Sequence, residues 1–310
     1  MFSTYSNVSQ ASITTSKCKP TRPQLNTSLV AEGGGQRGIF TAGVLDSWLY
    51  KGFNPFDLLI GTSAGAQNLS SYMTCQQGFD QRAIFNLTKN LKFFKLGRAL
   101  IVRDAVNLDW YFDQVASSSQ GLDVDCGMQR LKARTLLFSV IEMETRAALY
   151  FEPNKDNWLD LLKASSALPI LYRGRVKLGQ QHYVDGGLAA PVPVEEAYKR
   201  GAKRTVVIRT VPKEGEIEYP WAHRLKGWIC SSNRCPRVID LITHHETEYQ
   251  RAQNFMDKPP EDVEIVQIYP QKPLASGLVG SSCQDLNQDY IHGVKVGLAF
   301  LQHQALDRAA

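Results

Sequence analysis

Hydrophobic positions at the start of the chain follow two different periods. Residues 28–31 and 56–60 are short apolar runs that end in glycine, as buried strands do. Residues 39–50 and 64–73 instead repeat apolar side chains at the spacing of a helix, and a glycine follows the first of them closely. The order strand, glycine loop, helix, strand, glycine turn, helix predicts parallel strands that are joined by crossover helices.

The same patterns continue through the middle of the chain and predict further elements. They are strands at 136–141 and 204–210, helices at 159–164 and 194–200, and a hairpin strand at 180–184. Surface loops are predicted at 116–125 and 212–220. Because residues 28–305 contain no internal repeat and no linker rich in Pro, Gly or Ser, we predict a single domain over this range.

The composition is that of a globular protein with a substantial core. Of the 310 residues, 43% are hydrophobic and 21% are charged. No apolar run approaches the roughly 18 residues that a spanning helix needs, so no transmembrane segment is predicted. The net charge of +5 is small for this length and does not indicate a nucleic-acid partner.

The N-terminal segment and the cysteines indicate in which cellular compartment the protein resides. Residues 1–27 are rich in Ser and Thr, contain no acid and lack the apolar core of a secretory signal, so they are predicted to be a flexible tail. The six cysteines are scattered through a chain too long to need disulfides, which favours free thiols in the cytoplasm. Cys230 and Cys235, with His244 and His245 downstream, match no zinc-ligand spacing, so no metal and no other cofactor is predicted.

The segment Gly61-Thr62-Ser63-Ala64-Gly65 stands between a predicted strand and a predicted helix. This is the G-x-S-x-G nucleophile elbow in its expected context. The sharp turn lifts the serine Oγ to the N-terminus of the helix, where the helix dipole favours developing negative charge. Ser63 is therefore a candidate nucleophile, and Gly61 and Gly65 are the residues that let the helix pass close to the strand.

A glycine-rich run at residues 32–38 (EGGGQRG) lies between the first strand and the first helix, where backbone N–H groups can converge on one negative oxygen. One interpretation is a dinucleotide loop, since Gly33, Gly35 and Gly38 fit G-x-G-x-x-G. The acid at the expected distance, Asp57, lies inside its predicted strand and not at the C-terminal end. The other interpretation is an oxyanion hole, which a serine nucleophile one β-unit later favours. A phosphate-binding Walker A loop is excluded, because no Gly-Lys-Ser/Thr follows the glycines.

The group that would take the serine proton has two kinds of candidate. None of the six histidines has a distinctive setting, although His182 lies three residues before Asp185, so a Ser-His-Asp arrangement stays open. Asp185-Gly186-Gly187 follows a strand-like stretch, and glycines after an aspartate allow a sharp turn that projects the carboxylate. Together with the two glycine motifs, this indicates a catalytic carboxylate at Asp185.

Three motifs in this order resemble the patatin-like phospholipase family, whose pattern is G-G-G-x-R/K-G, then G-x-S-x-G, then D-G-A/G. The matching segments are residues 33–38, 61–65 and 185–187, with further resemblance at 164–169 and 204–210. Residues 260–300 resemble a bacterial subgroup of the family. Glu32 stands where well-known members carry Asp, which keeps the carboxylate.

The resemblance implies both a fold and a mechanism. The fold is a three-layer α/β/α sandwich with a mostly parallel central sheet. Ser63 would be the nucleophile and Asp185 the general base, as a dyad without histidine. The oxyanion hole and its loop would comprise Gly33, Gly34, Gly35, Arg37 and Gly38, and the turn after Asp185 would comprise Gly186 and Gly187.

The function implied is that of a serine lipid acyl hydrolase of the phospholipase A or lysophospholipase type, which acts on a lipid ester at a membrane surface. Alternatives are an acyltransferase that uses the same serine, a Ser-His-Asp esterase, and a nucleotide-binding module. Two segments are candidates for contact with lipid, the basic and aromatic stretch 89–103 and a flap at 221–228 that contains Trp221 and Trp228. For 89–103, packing on the core of the protein is the other interpretation.

Overall fold

The computed structural model describes residues 27–94, 104–117, 121–169, 171–172, 174–213 and 236–307. Its strands belong to one sheet. In chain order they are β1 (Thr27–Ala31), β2 (Leu58–Thr62), β3 (Thr135–Glu142), β4 (Ala148–Phe151), β5 (Val176–Leu178), β6 (Gln181–Asp185), β7 (Arg204–Ile208) and β8 (Glu264–Ile268).

The sheet has a parallel centre and antiparallel additions. Its strand order is β5-β6-β3-β2-β1-β7-β8, and β4 also pairs with β3. The pairs from β3 through β2, β1 and β7 to β8 are all parallel. Strands β4 and β6 run antiparallel to β3, and β5 forms a hairpin with β6. Because the chain builds the sheet to one side of β1 first and to the other side later, β1 stands at the switch point where such sheets bind ligands.

The helices that the structure describes connect these strands or cover them. They are α1 (Gly38–Tyr50), α2 (Ala64–Met73), α3 (Phe79–Asn86), α4 (Leu108–Ser117), α5 (Val124–Arg130), α6 (Trp158–Ser165), α7 (Val194–Lys199), α8 (Pro236–Asp257) and α9 (Cys283–Asp307). Single 3₁₀ turns cover Gly35–Arg37, Leu131–Ala133 and Gly186–Leu188. No helix among these combines the length and the apolar character needed to cross a bilayer.

Alternation along the central strands divides the core into two layers. Leu29 and Ala31 of β1 point into a cluster that includes side chains of α1, α2 and α6. Val30, between them, points to the opposite face and packs in a second cluster with Ala197 of α7 and Tyr249 of α8. Both faces of the sheet are therefore covered by helices, as parallel strands require. The predicted three-layer α/β/α architecture is confirmed.

The C-terminal helix α9 lies against α1. The indole Nε1 of Trp48 donates to the carbonyl oxygen of Gly297 over 3.1 Å, and the hydroxyl of Tyr290 donates to Oδ2 of Asp46 over 2.9 Å. Strand β8 pairs with β7 in the same sheet. The C-terminal part of the described chain thus packs both on α1 and on the edge of the sheet.

The predicted elements are confirmed, with small shifts at their ends. The largest shift is in β2, which runs over Leu58–Thr62 and not 56–60, so Asp57 precedes the strand. The predicted loop at 116–125 is wrong at both ends, because α4 continues to Ser117 and the carboxylate of Asp123 caps the N-terminus of α5 by accepting from the N–H of Cys126. An aspartate in that position is a common start of a helix.

Some predictions fall outside the described residues. These are the tail up to residue 26, the greater part of the basic stretch (95–103), most of the 212–220 loop and the flap with Trp221 and Trp228. Strand β1 begins at Thr27, inside the range predicted as tail. Within the described part of the basic stretch, Phe93 is buried in the core, which agrees with the packing interpretation for this side chain.

Candidate active site

Ser63 occupies the turn between β2 and α2 in a strained backbone conformation. Its φ of 54° and ψ of −121° are rare for a residue with a side chain. Its carbonyl oxygen accepts hydrogen bonds from the N–H groups of Ala66 and Gln67, so the helix holds the turn from one side. From the other side, its N–H donates to Oγ of Ser165 over 2.9 Å. These contacts hold the side chain at the N-terminus of α2.

The elbow glycines are needed because helix and strand almost touch. A Cβ atom added to Gly65 would lie 2.3 Å from the carbonyl oxygen of Ala31 in β1. One added to Gly61 would lie 2.6 Å from the Cα atom of Ala66. Any side chain at either position would push α2 away from the sheet and displace Ser63.

The carboxylate of Asp185 meets Ser63 at the end of β6. Its Oδ2 atom accepts a hydrogen bond from Oγ of Ser63 over 2.9 Å, and its Oδ1 atom accepts one from the N–H of Gly187 over 2.7 Å. The residue is 4% exposed. Burial raises the pKa of Asp185 to about 7, although both hydrogen bonds act in the opposite direction. A carboxyl group with this pKa can take up and release a proton at neutral pH.

Strand β3 brings the two residues together. Thr62, the last residue of β2, pairs with Ser139, and Asp185 pairs with Val140, the next residue of β3. The hydroxyl of Thr62 lies 2.6 Å from that of Ser139 and donates to the carbonyl oxygen of Ala190 over 2.8 Å, which ties the strand ends to the turn after Asp185. The contact between Ser63 and Asp185 therefore follows from the register of the sheet.

The glycine loop follows β1 and lies beside the Ser63 elbow. The N–H groups of Gly34 and Gly35 have no acceptor among the described residues, whereas that of Gly33 points to the carbonyl oxygen of Pro191 at 3.5 Å. Gly35 has a φ of 58°, and a Cβ atom there would lie 2.2 Å from the carbonyl oxygen of Leu278. That same carbonyl accepts the N–H of Gln36 over 3.0 Å, so the loop is supported by a distant part of the chain.

Glu32 precedes the glycine loop and fixes its start to the neighbouring strand. Its carboxylate is buried and accepts the N–H of Thr210 over 2.6 Å, which links the end of β1 to the end of β7. Burial raises the pKa of Glu32, and the positive charges of Arg209 and Arg37 oppose that rise. A carboxylate at this position thus has a structural role.

Arg37 and Gly38 complete the loop. The Nε atom of Arg37 is buried without a hydrogen-bond partner among the described residues, and its guanidinium lies close to Gly34. Gly38 begins α1 where a Cβ atom would lie 2.9 Å from that of Ala64, so the two helices that flank Ser63 approach closely here. A cation therefore stands within the loop beside the candidate oxyanion donors.

Two cavities meet at the pair Ser63 and Asp185, which line both. The first, of about 90 Å³, is walled mostly by apolar side chains such as Ile84, Val106 and Leu171. The second, of about 60 Å³, is more polar. It is lined by Glu32, Arg37, His245 and Tyr249 besides the glycines of the loop. The arrangement offers an apolar compartment on one side of the serine and a polar compartment on the other.

His245 is a site residue that sequence reasoning treated as a packing or surface residue. Its Nδ1 atom lies 2.6 Å from the carbonyl oxygen of Gly187, directly after the aspartate motif. Burial lowers its pKa, which keeps the ring neutral with the Nδ1 proton donated to that carbonyl. His182, the histidine that the sequence placed near Asp185, pairs with Lys177 in the hairpin of β5 and β6 and lines neither cavity.

The sequence patterns also did not indicate Ser165 and Leu278 as residues of the site. Ser165 falls in the segment 164–169 that resembles the family, but nothing in its spacing indicates that it accepts the N–H of Ser63. Leu278 lines both cavities although it stands more than 200 positions from Ser63 in the chain. Only the packing of the C-terminal part of the chain on the glycine loop reveals it.

Comparison with known proteins identifies the family. Residues 29–198 match the model of the patatin-like phospholipases. The chain belongs to the patatin-like phospholipase family. Residues 235–305, which contain His245 and Leu278, match a second model described as a domain of unknown function (DUF6363).

One relative covers nearly the whole patatin-like chain. It is the uncharacterized protein YjjU of Escherichia coli (strain K12), which is 42% identical over 275 residues, or 88% of this chain and 76% of that protein. Among solved structures, VipD from Legionella pneumophila matches with a TM-score of 0.44 and 13% identity, over 91% of this chain and 67% of that one.

Membership confirms the family that the three motifs predicted and makes the protein a member of a family of lipid acyl hydrolases.

The acid that a dinucleotide site would need is far from the glycine loop. Asp57 precedes β2 and accepts hydrogen bonds from the N–H and the hydroxyl of Thr27, at the opposite end of the strand from Ser63.

Proposed function

We propose that the protein is a serine lipid acyl hydrolase of the phospholipase A or lysophospholipase type, with Ser63 as nucleophile and Asp185 as general base. The observation that carries the proposal is the 2.9 Å hydrogen bond from Oγ of Ser63 to Oδ2 of Asp185, made from a strained turn at a helix N-terminus. Such a pair is the arrangement of an activated serine.

In the first half of the reaction, Oγ of Ser63 bonds to the ester carbonyl carbon while its proton passes to Asp185. The carbonyl oxygen becomes an oxyanion, which the N–H groups of Gly34 and Gly35 stabilise. The tetrahedral intermediate then collapses, the bond to the leaving alcohol breaks, and Asp185 returns the proton to that alcohol. The product of this half is an acyl-enzyme on Ser63.

In the second half, water attacks the acyl carbon and gives its proton to Asp185. The bond to Oγ breaks, Ser63 regains a proton, and the fatty acid leaves. A single carboxyl group thus serves as base and acid in turn, which requires a pKa near the working pH. Burial raises the pKa of Asp185 to about 7, which meets this requirement.

The two cavities suit the two parts of a lipid ester. The apolar cavity accommodates the acyl chain, and the polar cavity with Arg37 and His245 accommodates the alcohol part and its headgroup. We propose that the lipid ester is drawn from the surface of a membrane in the cytoplasm.

The test is labelling by a fluorophosphonate followed by mapping of the adduct, together with hydrolysis of short-chain esters. Ser63→Ala should abolish both labelling and hydrolysis. Asp185→Asn should keep the fold and lower turnover by at least a hundredfold, in the range that loss of a general base produces. His182→Ala serves as the control and should retain full turnover.

Unchanged turnover in Ser63→Ala or in Asp185→Asn would contradict the dyad, and loss confined to a histidine variant would indicate a Ser-His-Asp mechanism. Product analysis with an added alcohol distinguishes hydrolysis from acyl transfer, since both proceed through the same acyl-enzyme. We expect free fatty acid as the main product.

A further inference from the structure

The connection between β8 and α9 contains an irregular segment, residues 275–281, that contacts the glycine loop; we call it the C-terminal loop. In its middle, the carbonyl oxygen of Leu278 accepts the N–H of Gln36 over 3.0 Å. At its end, the N–H of Ser281 donates to Oε1 of Gln36 over 2.8 Å. The C-terminal loop therefore holds both the backbone and the side chain of the residue that follows Gly35.

Gln36 is buried between two parts of the chain. Its side chain is 3% exposed, and its Nε2 atom donates to Oγ1 of Thr88 over 2.7 Å, in the turn that follows α3. The hydroxyl of Thr88 in turn donates to the carbonyl oxygen of Ile84 over 2.6 Å. A movement of Gln36 breaks hydrogen bonds on both sides, so this residue is a fixed point directly after the candidate oxyanion donor Gly35.

A buried carboxylate on α9 fixes the start of the C-terminal loop. Asp289 is 2% exposed, and its Oδ2 atom accepts the N–H of Ser276 over 2.7 Å and the hydroxyl of Ser276 over 2.6 Å. Its Oδ1 atom accepts the N–H of Ala275 over 3.3 Å. Within the loop, Oγ of Ser281 accepts the N–H of Gly277 over 2.9 Å. The helix thus determines where the C-terminal loop presents its groups to Gln36.

The glycine loop needs such support because three consecutive glycines allow many backbone conformations. Its first part is held by the end of β7, since the carbonyl oxygen of Gly33 accepts the hydroxyl of Thr210 over 3.0 Å. Gly34 and Gly35 follow, with φ angles of 154° and 58°. Oxyanion donors are effective when they are oriented before the reaction begins. The contacts of the C-terminal loop with Gln36 fix the other end of the glycine loop.

We propose that Asp289 is a positioning residue of the oxyanion hole, which acts through the C-terminal loop and Gln36 on the N–H groups of Gly34 and Gly35. The inference rests on the proposed function, because an oxyanion hole matters only if Ser63 attacks an ester. It gives residues 235–305, the part that matches a domain of unknown function, a role in catalysis.

The first test is the steady-state hydrolysis of ethyl hexanoate by Asp289→Asn. An asparagine offers an acceptor on one side only, so the donors of Ala275 and Ser276 cannot both keep their partner. We expect kcat to fall roughly ten- to a hundredfold, which is less than for a removed oxyanion donor because the donors are displaced and not lost. KM should change by less than about threefold, as for an interaction made only in the transition state.

The second test is inhibition by octyl trifluoromethyl ketone. Oγ of Ser63 bonds to its carbonyl carbon, the serine proton passes to Asp185, and the carbonyl oxygen becomes an oxyanion. The inhibition constant should rise in Asp289→Asn by about the factor by which kcat falls, since both report binding of the oxyanion. The dissociation constant of ethyl hexanoate, measured with Ser63→Ala and with the double variant Ser63→Ala/Asp289→Asn, should be the same in both.

Asp285→Asn is the matched control on the same helix. The carboxylate of Asp285, in the first turn of α9, accepts the N–H and the hydroxyl of Ser282, outside the C-terminal loop. This variant should leave kcat, KM and the inhibition constant unchanged.

Two milder variants serve if thermal unfolding shows that Asp289→Asn does not fold. Ser276→Ala removes one donor to Asp289, and Gln36→Met has a similar length but removes both side-chain hydrogen bonds of Gln36. Both should lower kcat more than they change KM. Where Asp289→Asn folds, its loss of kcat should not add to that of Gln36→Met in the double variant, because both act on one loop.

Three results overturn the inference. They are an unchanged kcat in a folded Asp289→Asn (or in both milder variants if it does not fold), an equal weakening of ketone and ester binding, and additive losses in the double variant. If the wild type hydrolyses esters through Ser63 in such a case, the inference fails alone.

Hydrogen exchange keeps the failure of the proposed function distinguishable. If the wild type neither hydrolyses esters nor binds the ketone, the proposed function fails. The N–H of Gln36 should still exchange faster in Asp289→Asn than in the wild type, because its acceptor on Leu278 is released. An unchanged exchange rate in that variant would overturn the link between Asp289 and the glycine loop, whatever the activity.

Discussion

The Oγ atom of Ser63 lies 2.9 Å from Oδ2 of Asp185, although 122 positions separate the two residues in the chain. Neither residue is held by its sequence neighbours alone. Strand β3 pairs with β2 and with β6, so that the ends of these two strands meet at consecutive residues, Ser139 and Val140. The candidate dyad is a product of strand register.

The pH dependence of turnover should report the ionisation of Asp185. Burial raises its pKa to about 7, so the carboxyl group carries a proton below that pH and cannot accept one from Ser63. We expect kcat/KM to fall about tenfold per pH unit below a midpoint near 7. The measurement is hydrolysis of a soluble ester from pH 5 to 8, and a rate that is constant over this range contradicts the assignment.

The pH dependence of hydrolysis should also change on the alkaline side, through the ionisation of Asp80. Asp80 has a pKa of about 8 among Ser71 of α2, Asp46 of α1, Arg82 of its own helix and Tyr111 of α4. Its ionisation places a charge in the apolar cavity and weakens binding of the acyl chain.

We therefore expect KM for a plain ester to rise above pH 8 in the wild type and to stay level in Asp80→Asn, which cannot ionise. A rise of KM of equal size in both proteins would assign the alkaline limb to another group.

Gly35→Ala should damage the candidate oxyanion hole. The φ of 58° already disfavours a side chain, and the added Cβ atom would lie 2.2 Å from the carbonyl oxygen of Leu278. We expect kcat to fall by about a hundredfold or more, as loss of one oxyanion donor does.

Gly52→Ala is the matched control. Gly52 has a φ of 66° with nothing within 4 Å of the added atom, so only the backbone penalty of about 1–2 kcal/mol applies and turnover should be unchanged. Equal loss of kcat in the two variants would mean that backbone strain, and not the position of the loop, decides activity.

Ser165→Ala tests the support of the elbow. Its Oγ atom accepts the N–H of Ser63, and removal leaves that group unpaired at a cost of about 1–3 kcal/mol. We expect a loss of roughly ten- to a hundredfold in kcat with KM little changed, measured by steady-state hydrolysis. Ser166→Ala, which removes the acceptor for Nε2 of Gln67 in the cavity wall, should alter KM more than kcat. The reverse pattern would exclude a positioning role for Ser165.

His245 offers a test between a positioning residue and a catalytic base. Its Nδ1 atom bonds to the carbonyl oxygen of Gly187, which follows the aspartate motif. An amide N–H can replace that donor but cannot act as a base, so His245→Asn should retain most of the turnover, whereas His245→Ala should lose about tenfold.

The adjacent His244→Ala is the control and should be unaffected. Equal and complete inactivation in His245→Asn and His245→Ala would favour a histidine-dependent mechanism.

The alternation of apolar runs and helical periods was enough to predict the central elements. Strands with apolar residues on both faces, such as β1, are recognisable because burial on two sides removes polar residues from the whole run. The prediction failed where polar caps and half-buried helices replace that pattern, as at Asp123, where a capping residue was taken for part of a loop. The pairing of β6 with β3 has no signal in the local sequence.

By itself, the sequence determined the family, the order of the central elements and the three motifs, because each depends on a few neighbouring residues with strict steric needs. The family resemblance implied the pair Ser63 and Asp185, and the tertiary structure accounts for their contact through the register of β3. The tertiary structure alone decided that Leu278 lines both cavities, that His245 lines the polar one and that Asp80 lines the apolar one. The physical reason is that these contacts join residues far apart in the chain. Their distances are set by strand register and helix packing, which no local period of the sequence encodes.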